Sequence, residues 1–343
     1  MKKLFIIALI IGFASACTKS SVRYEQPGEI SLHPVTAKAT KAAVTDAVYP
    51  ESEKFNVWAW WADVPASTPL ASFPSYPDLY IYKGTFQNRT GSSWGGTTPY
   101  YWPTNGSMVF AGYSPASAQA RSIEYIWDEK TLKIGTYIQP HDISQTKDLM
   151  WFDVTSQTYN NNDNAVRKGE FDVPVNGVPV VFKHILTWLT FKFKLKEGVT
   201  SAYTVTDVKL KNIETEANYT SKPLGGLSEW TGHYLPRDID IWSDKTDGYR
   251  VTAEPYALES TPDGIVVIPQ SCATEDAQLE ITYRFETIRA DLTKTVYLNA
   301  GSDGHIWKPG KHYTYTITFG NNEIFVIPEV TDWQTQTVDI EVQ

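Results

Sequence analysis

The sequence has few cysteines, an excess of acidic over basic charge and few long apolar runs, and each shortage excludes a class of protein. Its 343 residues include two cysteines, Cys17 and Cys272, too few for a scaffold held together by several disulfides. The 30 Lys and Arg are outnumbered by 39 Asp and Glu, and the net charge of −9 predicts no nucleic-acid partner, because an acidic surface repels phosphates. Beyond the N-terminus no apolar run reaches the roughly 20 residues that a membrane-spanning helix needs.

The N-terminus has the pattern of an export signal, and we predict that residues 1–16 are a signal peptide. Lys2 and Lys3 precede the apolar run LFIIALIIGFASA, which is too short to span a membrane but suits the central region of a signal. The small residues before Cys17 resemble a bacterial lipobox, in which the cysteine thiol receives a lipid. We therefore predict lipidation at Cys17. An ordinary signal cleavage site, with Cys17 incidental, is the alternative.

What the sequence does have is aromatic and β-branched residues in short runs. It contains 12 Trp, 20 Tyr and 14 Phe, a composition that favours strands. Residues 191–196 alternate apolar residues with lysines, as a strand with one buried face does, whereas residues 182–189 do not alternate and could follow a helical period. Turn residues recur between the runs and no long amphipathic helix is evident. These patterns predict an all-β fold made of sandwiches or barrels.

We predict four segments along the chain. The signal peptide, 1–16, is followed by a tether and a first strand, 17–50, an N-terminal β-sandwich, 51–175, and a C-terminal β-sandwich, 176–343. The boundary rests on PVNGVP at 174–179, where the Asn-Gly turn and the flanking prolines suit a hinge. Residues 29–33 carry an isolated strand signal, and the small residues at 39–44 after it suit a segment that proteases reach.

The sequence contains no recognisable catalytic or metal-binding motif. The six histidines lack the spacing of a metal site, and neither a Gly-x-Ser-x-Gly elbow nor a glycine-rich phosphate loop is present. Four aspartates between 238 and 247 loosely resemble a calcium loop but lack its glycine and distal glutamate, which favours a solvated loop. We predict structural roles for His184 and Cys272, no enzyme activity and no cofactor.

Glycan binding is a second class of function to consider, because exposed aromatic rings stack on sugars. The candidate rings are Trp60, Trp61, Trp94, Tyr100, Tyr101 and Trp102. Core packing is the alternative for all of them, since aromatic residues that alternate along strands are usually buried.

Short motifs follow one another along nearly the whole chain. They are FNVWAW at 55–60, YWP at 101–103 with VFAGY at 109–113, FKHIL at 182–186, IPQ at 268–270, WKPGKHYTY at 307–315 and VTDW at 330–333. In this order, and after a lipobox, they resemble the fimbrillin-like proteins of Bacteroidales, the subunits and accessory proteins of type V pili. Each motif alone is short, and their order is the specific signal.

The resemblance implies two tandem transthyretin-like β-sandwich domains, a lipid anchor in the outer membrane and display on the cell surface, or in a fimbria if the chain is processed. It implies that a protease removes the first strand and that the C-terminal strand of a neighbouring subunit fills the groove. The removable strand would be 29–35, with Ile30 and Leu32 facing inward, and the donor would carry Val338, Ile340 and Val342. The implied partners are other pilus subunits, the membrane through the lipid, and glycans or other ligands on host or bacterial surfaces.

The processing site departs from the family pattern. The family commonly has arginine in a Thr-Arg-Ala context, and the matching tripeptide here is centred on Lys41, which suits a trypsin-like protease but not an arginine-specific one. Arg23 precedes the Ile30 strand, so a cut there would leave that strand attached. An uncleaved chain would act as a pilus anchor or as a stand-alone surface adhesin.

Overall fold

The structure is a computed structural model that describes twelve stretches of the chain. These are residues 28–36, 47–65, 68, 70–91, 93–103, 106–153, 177–222, 228–258, 265–273, 276–285, 288–321 and 324–333.

Within these stretches the chain forms twenty β-strands, three short 3-10 helices and no α-helix, which confirms the all-β prediction. Strands β1 to β10 are Ser31–Thr36, Ala47–Val48, Phe55–Ala62, Asp78–Thr90, Ser93–Gly96, Ser107–Ser114, Ala120–Ile126, Thr131–Ile138, Met150–Phe152 and Val178–His184. Strands β11 to β20 are Thr187–Leu195, Tyr203–Thr220, Glu229–Ser243, Tyr249–Arg250, Tyr256–Ala257, Ile265–Val267, Gln278–Phe285, Ile288–Tyr297, Lys311–Phe319 and Ile324–Asp332. The 3-10 helices are Leu70–Ser72, Ile143–Gln145 and Gly301–Asp303.

The first sheet closes on itself. Its strand order is β10-β9-β6-β3-β4-β5-β1-β2, and β1 also pairs with β10. Alternation along β3 divides its side chains between two cores, because successive residues of a strand point to opposite faces. Phe55 and Val57 lie inside the closed sheet, whereas Trp58 and Trp60 lie in a second core on its outer side.

The second sheet connects the two halves of the chain. Its order is β18-β17-β12-β8-β7, with β13 and β14 also paired to β12. The 18-residue β12 pairs with β17 near its start and with β8 near its end, so one strand contributes to the cores of both halves. Leu210 and Ile213 belong to the core of the second half, and Ala217 and Tyr219 belong to the core shared with β3, β7 and β8.

The third sheet has the order β15-β11-β19-β20, with β16 also on β11. Its inner face carries Phe191, Phe193, Tyr315 and Ile317, all fully buried against the second sheet. The alternation predicted for 191–196 is therefore confirmed, with Lys192 and Lys194 on the opposite face of β11.

The chain changes sheet between β10 and β11. Both halves of 182–195 are strands, and the break in alternation at Ile185 and Leu186 marks the corner between the first and third sheets. The predicted domain boundary at 176 falls outside the described residues and stays a prediction. Strand pairing runs across this position, because β10 pairs with β1 and β9. Among the described residues, no helix has the length and apolar character needed to cross a membrane.

Candidate functional site

The candidate site is β1, the strand that completes the first sheet. On one side β1 runs parallel to β10, with Leu32 opposite Val178 and Thr36 opposite Phe182. On the other side it is antiparallel, first to β5 and then to β2. The strand is thus held by backbone pairing on both edges. Removing it would leave the facing edges of β10 and β5 without a partner.

The side chains of β1 fill the interior of the closed sheet. Ile30 and Leu32 are fully buried, and Val35 is also buried. Completely burying an aliphatic side chain of this size stabilises a fold by about 1.5–3 kcal/mol relative to leaving it exposed. Loss of the strand would therefore open an apolar groove, and a replacement strand would need apolar residues at alternate positions to fill it. The role of Ile30 and Leu32 in a removable strand stays a prediction.

The groove has an aromatic wall. The Phe182 ring stacks on Tyr49 at 5.2 Å and meets Phe55 and Phe152 edge-on at 5.3 and 5.1 Å. Tyr49 also meets Trp94 edge-on, and its hydroxyl lies 2.6 Å from the Ser114 hydroxyl. Burial is the main reason that the pKa of Tyr49 is raised above its usual value. These rings keep their positions through contacts with each other, so the wall does not depend on β1 alone.

Gly177 belongs to the site, although the sequence pattern at 174–179 predicts only a hinge there. Its φ is +104°, and a Cβ atom here would lie 2.6 Å from the backbone carbonyl of Ser31. Glycine is the residue that adopts this backbone conformation freely and allows two backbones to approach this closely. The signal in the sequence was the Asn-Gly pair before β10, but only the parallel pairing of β10 with β1 explains it.

The first and last parts of the predicted mechanism lie outside the described residues. These are the lipidation site Cys17, the processing candidates Arg23 and Lys41, and the donor residues Val338, Ile340 and Val342. The strands on either side of Lys41 are described. β1 ends at Thr36 and β2 begins at Ala47, so Lys41 lies in the connection between β1 and β2.

Three of the six aromatic residues proposed for glycan stacking lie in the core. Trp60, Trp94 and Trp102 are 5%, 2% and 4% exposed, so they cannot present a ring face to a sugar. The reason is the closure of the first sheet, which turns Trp94 and Trp102 inward, together with the packing of β7 and β8 over Trp60. Tyr101 alone of the six is well exposed. Other exposed rings, which no local pattern in the sequence indicates, are Tyr76, Tyr80 and Tyr82.

The acidic segment at 238–247 is paired with lysines and with backbone groups. Lys209 lies 2.8 Å from Asp240, Lys211 pairs with Asp238, and Asp244 accepts hydrogen bonds from the backbone of Thr246 and Asp247. In the part of the chain that the structure describes, no group of three or more His, Cys, Asp or Glu side chains could hold a metal ion.

His184 lies at the end of β10 and makes structural contacts. Its Nδ1 is 2.5 Å from Oδ2 of Asp148, and since a carboxylate only accepts, the ring donates this hydrogen bond. The ring also stacks on Trp333 with a centroid distance of 4.5 Å. Cys272 is fully buried, and burial raises the pKa of its thiol to about 12, which makes it an unreactive thiol.

The all-β fold and its closing strand suit the class of fimbrial and cell-adhesion proteins, and comparisons with known proteins give the family. The family model described as Fimbrillin-like matches residues 40–333. The chain belongs to this family, which confirms the resemblance predicted from the motifs. No curated protein gives a significant sequence match.

Solved structures share the fold at low sequence identity. A fimbrial protein from Bacteroides vulgatus is 19% identical with a TM-score of 0.58, and the match covers 89% of this chain and 99% of that chain. A candidate cell adhesion protein from Bacteroides uniformis is 17% identical with a TM-score of 0.51 and the same coverage of both chains. Another from Parabacteroides distasonis is 12% identical with a TM-score of 0.51, covering 91% and 98%.

Proposed function

We propose that this protein is a structural and adhesive, non-enzymatic subunit of a type V pilus on the cell surface. It would consist of two transthyretin-like β-sandwich domains behind a signal peptide, anchored in the outer membrane by a lipid on Cys17. Other pilus subunits would be its partners. Membership of the fimbrillin-like family and similarity to a fimbrial protein support this proposal.

The observation that carries the proposal is the position of β1. It is the first described strand, its apolar side chains are buried, and the connection from it to β2 contains Lys41. A cut at Lys41 would separate β1 from β2 onward. The groove would then accept an extended strand from a neighbour by backbone pairing, with alternate apolar side chains filling the interior.

The C-terminal segment has the pattern that such a groove requires. Val338, Ile340 and Val342 alternate with polar residues, as Ile30 and Leu32 do in β1. In this proposal the segment after Trp333 leaves one subunit and enters the groove of the next. Deleting residues 334–343 should abolish the ladders that polymers give on unheated gels. A chain that still forms ladders after this deletion would rule out this donor.

Mass spectrometry of the mature N-terminus, on protein taken from the native cell surface, tests the processing step. A start at Ala42 supports cleavage after Lys41 and strand exchange. A start at acylated Cys17 supports the uncleaved anchor. Lys41→Gln should abolish cleavage, whereas Lys41→Arg should preserve or improve it, since arginine restores the residue common in the family. Equal processing of both variants would place the cut elsewhere.

Glycan binding by an uncleaved surface lipoprotein is the second candidate function, and exposed tyrosines favour it. Tyr82 is 61% exposed and donates a hydrogen bond to Glu124, and the exposed Tyr80 donates one to the carbonyl of Tyr101. Tyrosine rings stack on sugars while their hydroxyls hydrogen-bond to them. If this function holds, the protein stays monomeric, is retarded in polysaccharide gels, and loses this retardation in Tyr82→Ala but not in Lys54→Ala.

A further inference from the structure

Four aromatic rings from four different segments form one continuous stack where the first and third sheets meet. In order they are His184, Trp333, Trp188 and His312. The His184 and Trp333 rings are 4.5 Å apart and nearly parallel, Trp333 and Trp188 are tilted at 5.8 Å, and Trp188 and His312 are 3.8 Å apart and nearly parallel. We call this set the ring stack.

Hydrogen bonds fix both ends of the ring stack and its middle. At one end, His184 Nδ1 lies 2.5 Å from Asp148 Oδ2. At the other, His312 Nε2 lies 2.9 Å from the hydroxyl of Thr190. In between, the backbone N–H of Trp333 donates to the carbonyl of Gly310 over 3.0 Å, and the Trp333 side chain is 7% exposed. The rings are therefore held in one arrangement.

The ring stack joins two places that matter for assembly. His184 ends β10, the strand that lies beside β1 in the first sheet. Trp333 directly follows β20, at the point where the C-terminal segment begins. In the proposed pilus a neighbour's donor strand lies along β10, and this chain's own donor strand leaves after Trp333. β10, which would pair with the donor strand of one neighbour, therefore contacts Trp333 through His184. Trp333 is the residue after which this chain's own donor segment begins.

The pairing of β20 explains why such a contact is needed. Among the described residues, β20 lies at the end of the third sheet and pairs with β19 alone, with Asp332 opposite Lys311 at the open end of the hairpin. A pull on the C-terminal segment would act at this open end and separate the pairs one after another, which requires less force than breaking them together. The Lys311–Asp332 ion pair is partly solvated, and such pairs contribute little.

We propose that the ring stack transfers tension from the C-terminal segment directly to β10, with Trp333 and His184 as positioning residues that stop β20 from peeling off β19. This inference rests on the proposed pilus function for its biological meaning. Trp333 must leave its contacts with His184 and Trp188 before the first pair of the hairpin can open. Tension between successive subunits then passes through β10 and the ring stack, and the pairs between β19 and β20 stay closed.

A single-molecule pulling experiment on the full chain tests the transfer. One handle is attached at Gln343 and the other at a cysteine replacing exposed Lys183, in a Cys17→Ser background that leaves only the buried Cys272. We expect β20 to peel at a clearly lower force in Trp333→Leu and His184→Leu than in the parent protein. Trp333→Phe keeps an aromatic ring and should retain most of the parent force.

Trp127→Leu is the matched control, because the exposed fraction of Trp127 is 8%, similar to the 7% of Trp333, and its ring packs against Trp60 and Phe73 in the core on the outer side of the first sheet. It should destabilise the fold without lowering the peeling force. Hydrogen exchange gives an independent readout. The β20 amides should exchange about tenfold faster in Trp333→Leu, as expected for loss of stacking contacts at a strand end, and those of β17 should not change.

The outcomes separate this inference from the pilus function. An unchanged peeling force in Trp333→Leu, or an equal loss in Trp127→Leu, overturns the transfer of tension, whether or not the parent forms ladders on unheated gels. A selective loss in Trp333→Leu and His184→Leu supports the transfer. If the parent then forms no ladders after removal of the first strand, the mechanical contact stands while the pilus function fails.

Discussion

Phe182 is a central residue of the interior of the first sheet. It is fully buried, it stacks on Tyr49, and it contacts two further rings edge-on. Phe182→Ala should lower the free energy of unfolding by about 3–5 kcal/mol, because it removes a large side chain and leaves a cavity. Urea denaturation measures this change. Tyr76→Ala, at an 88% exposed ring, should change it by about 0.5 kcal/mol or less, and an equal effect of the two would contradict the closed core.

His312 makes the fold sensitive to acid. Burial lowers its pKa to about 4, with a smaller contribution from the charge of Lys192, compared with about 6.5 for an unfolded histidine. A depressed histidine pKa means that the folded protein resists protonation. The stability that this histidine permits is complete above pH 6.5 and is lost as the pH falls from there towards 4.

The test is His312→Phe, which keeps a ring against Trp188 but cannot be protonated. Between pH 7 and pH 4.5 the parent should lose about 1–2 kcal/mol more stability than this variant, a value reduced from the full shift because the ring is only half buried. Thermal unfolding at both pH values measures the difference. His141→Gln, at an exposed histidine, should behave like the parent, and a parent-like acid response in His312→Phe would assign the sensitivity to other groups.

At the scale of elements, β1 contains a proline that limits its backbone hydrogen bonding. Pro34 lies in its middle and has no N–H to donate. It is opposite Val180 of β10 on one edge, and on the other edge it lies between the residues that pair with β5 and those that pair with β2. Proline normally avoids the interior of a strand with partners on both sides. We expect that Pro34→Val, which restores the donor, will tighten β1 and slow its replacement. Exchange of β1 is favoured if the replacing strand forms more backbone hydrogen bonds than β1 does. The proposed donor, residues 334–343, contains no proline and can donate from every backbone N–H.

Pro328→Val in β20 is the control for this change. Both substitutions free the unfolded chain to a similar extent, but β1 has partner strands on both sides, whereas β19 is the one partner of β20 among the described strands. Pro34→Val should therefore be more stable than Pro328→Val by about 1 kcal/mol, the net contribution of a typical hydrogen bond. Denaturation and hydrogen exchange of residues 28–36 measure this. Equal stabilities would mean that Pro34 costs the strand no hydrogen bond.

The local sequence pattern predicted the strands well. It could not predict which side chains are buried by closure of the first sheet or where the chain changes sheet. The alternation at Phe191 and Phe193 was visible because each residue there has one core on one side. Alternation failed at Ile185 and Leu186 because the chain changes sheets, which places both residues in the same core. Trp94 was offered as an exposed ring, and no local signal contradicts that reading. Its burial depends on the pairing of β5 with β1, a contact between distant segments.

At the scale of the whole molecule, the processed protein should be incomplete. Removal of β1 by cleavage after Lys41 exposes the interior around Phe182 and Tyr49, so the processed form should melt at a lower temperature than the full chain. A synthetic peptide of residues 334–343 should restore the melting temperature in a concentration-dependent way, because it binds only the folded protein. A peptide with Asp at positions 338 and 340 should have no such effect, and equal rescue by both peptides would argue against a groove that selects apolar side chains.

The parallel pairing of Leu32 with Val178 also sets the order of folding. β1 cannot take its place beside β10 until β10 has been synthesised, and strands β2 to β9 lie between the two along the chain. In the proposed exported lipoprotein, the first sheet would therefore stay open until β10 has also crossed the inner membrane. In the proposed pilus subunit, the strand that closes the first sheet last would also be the strand that is removed on the cell surface.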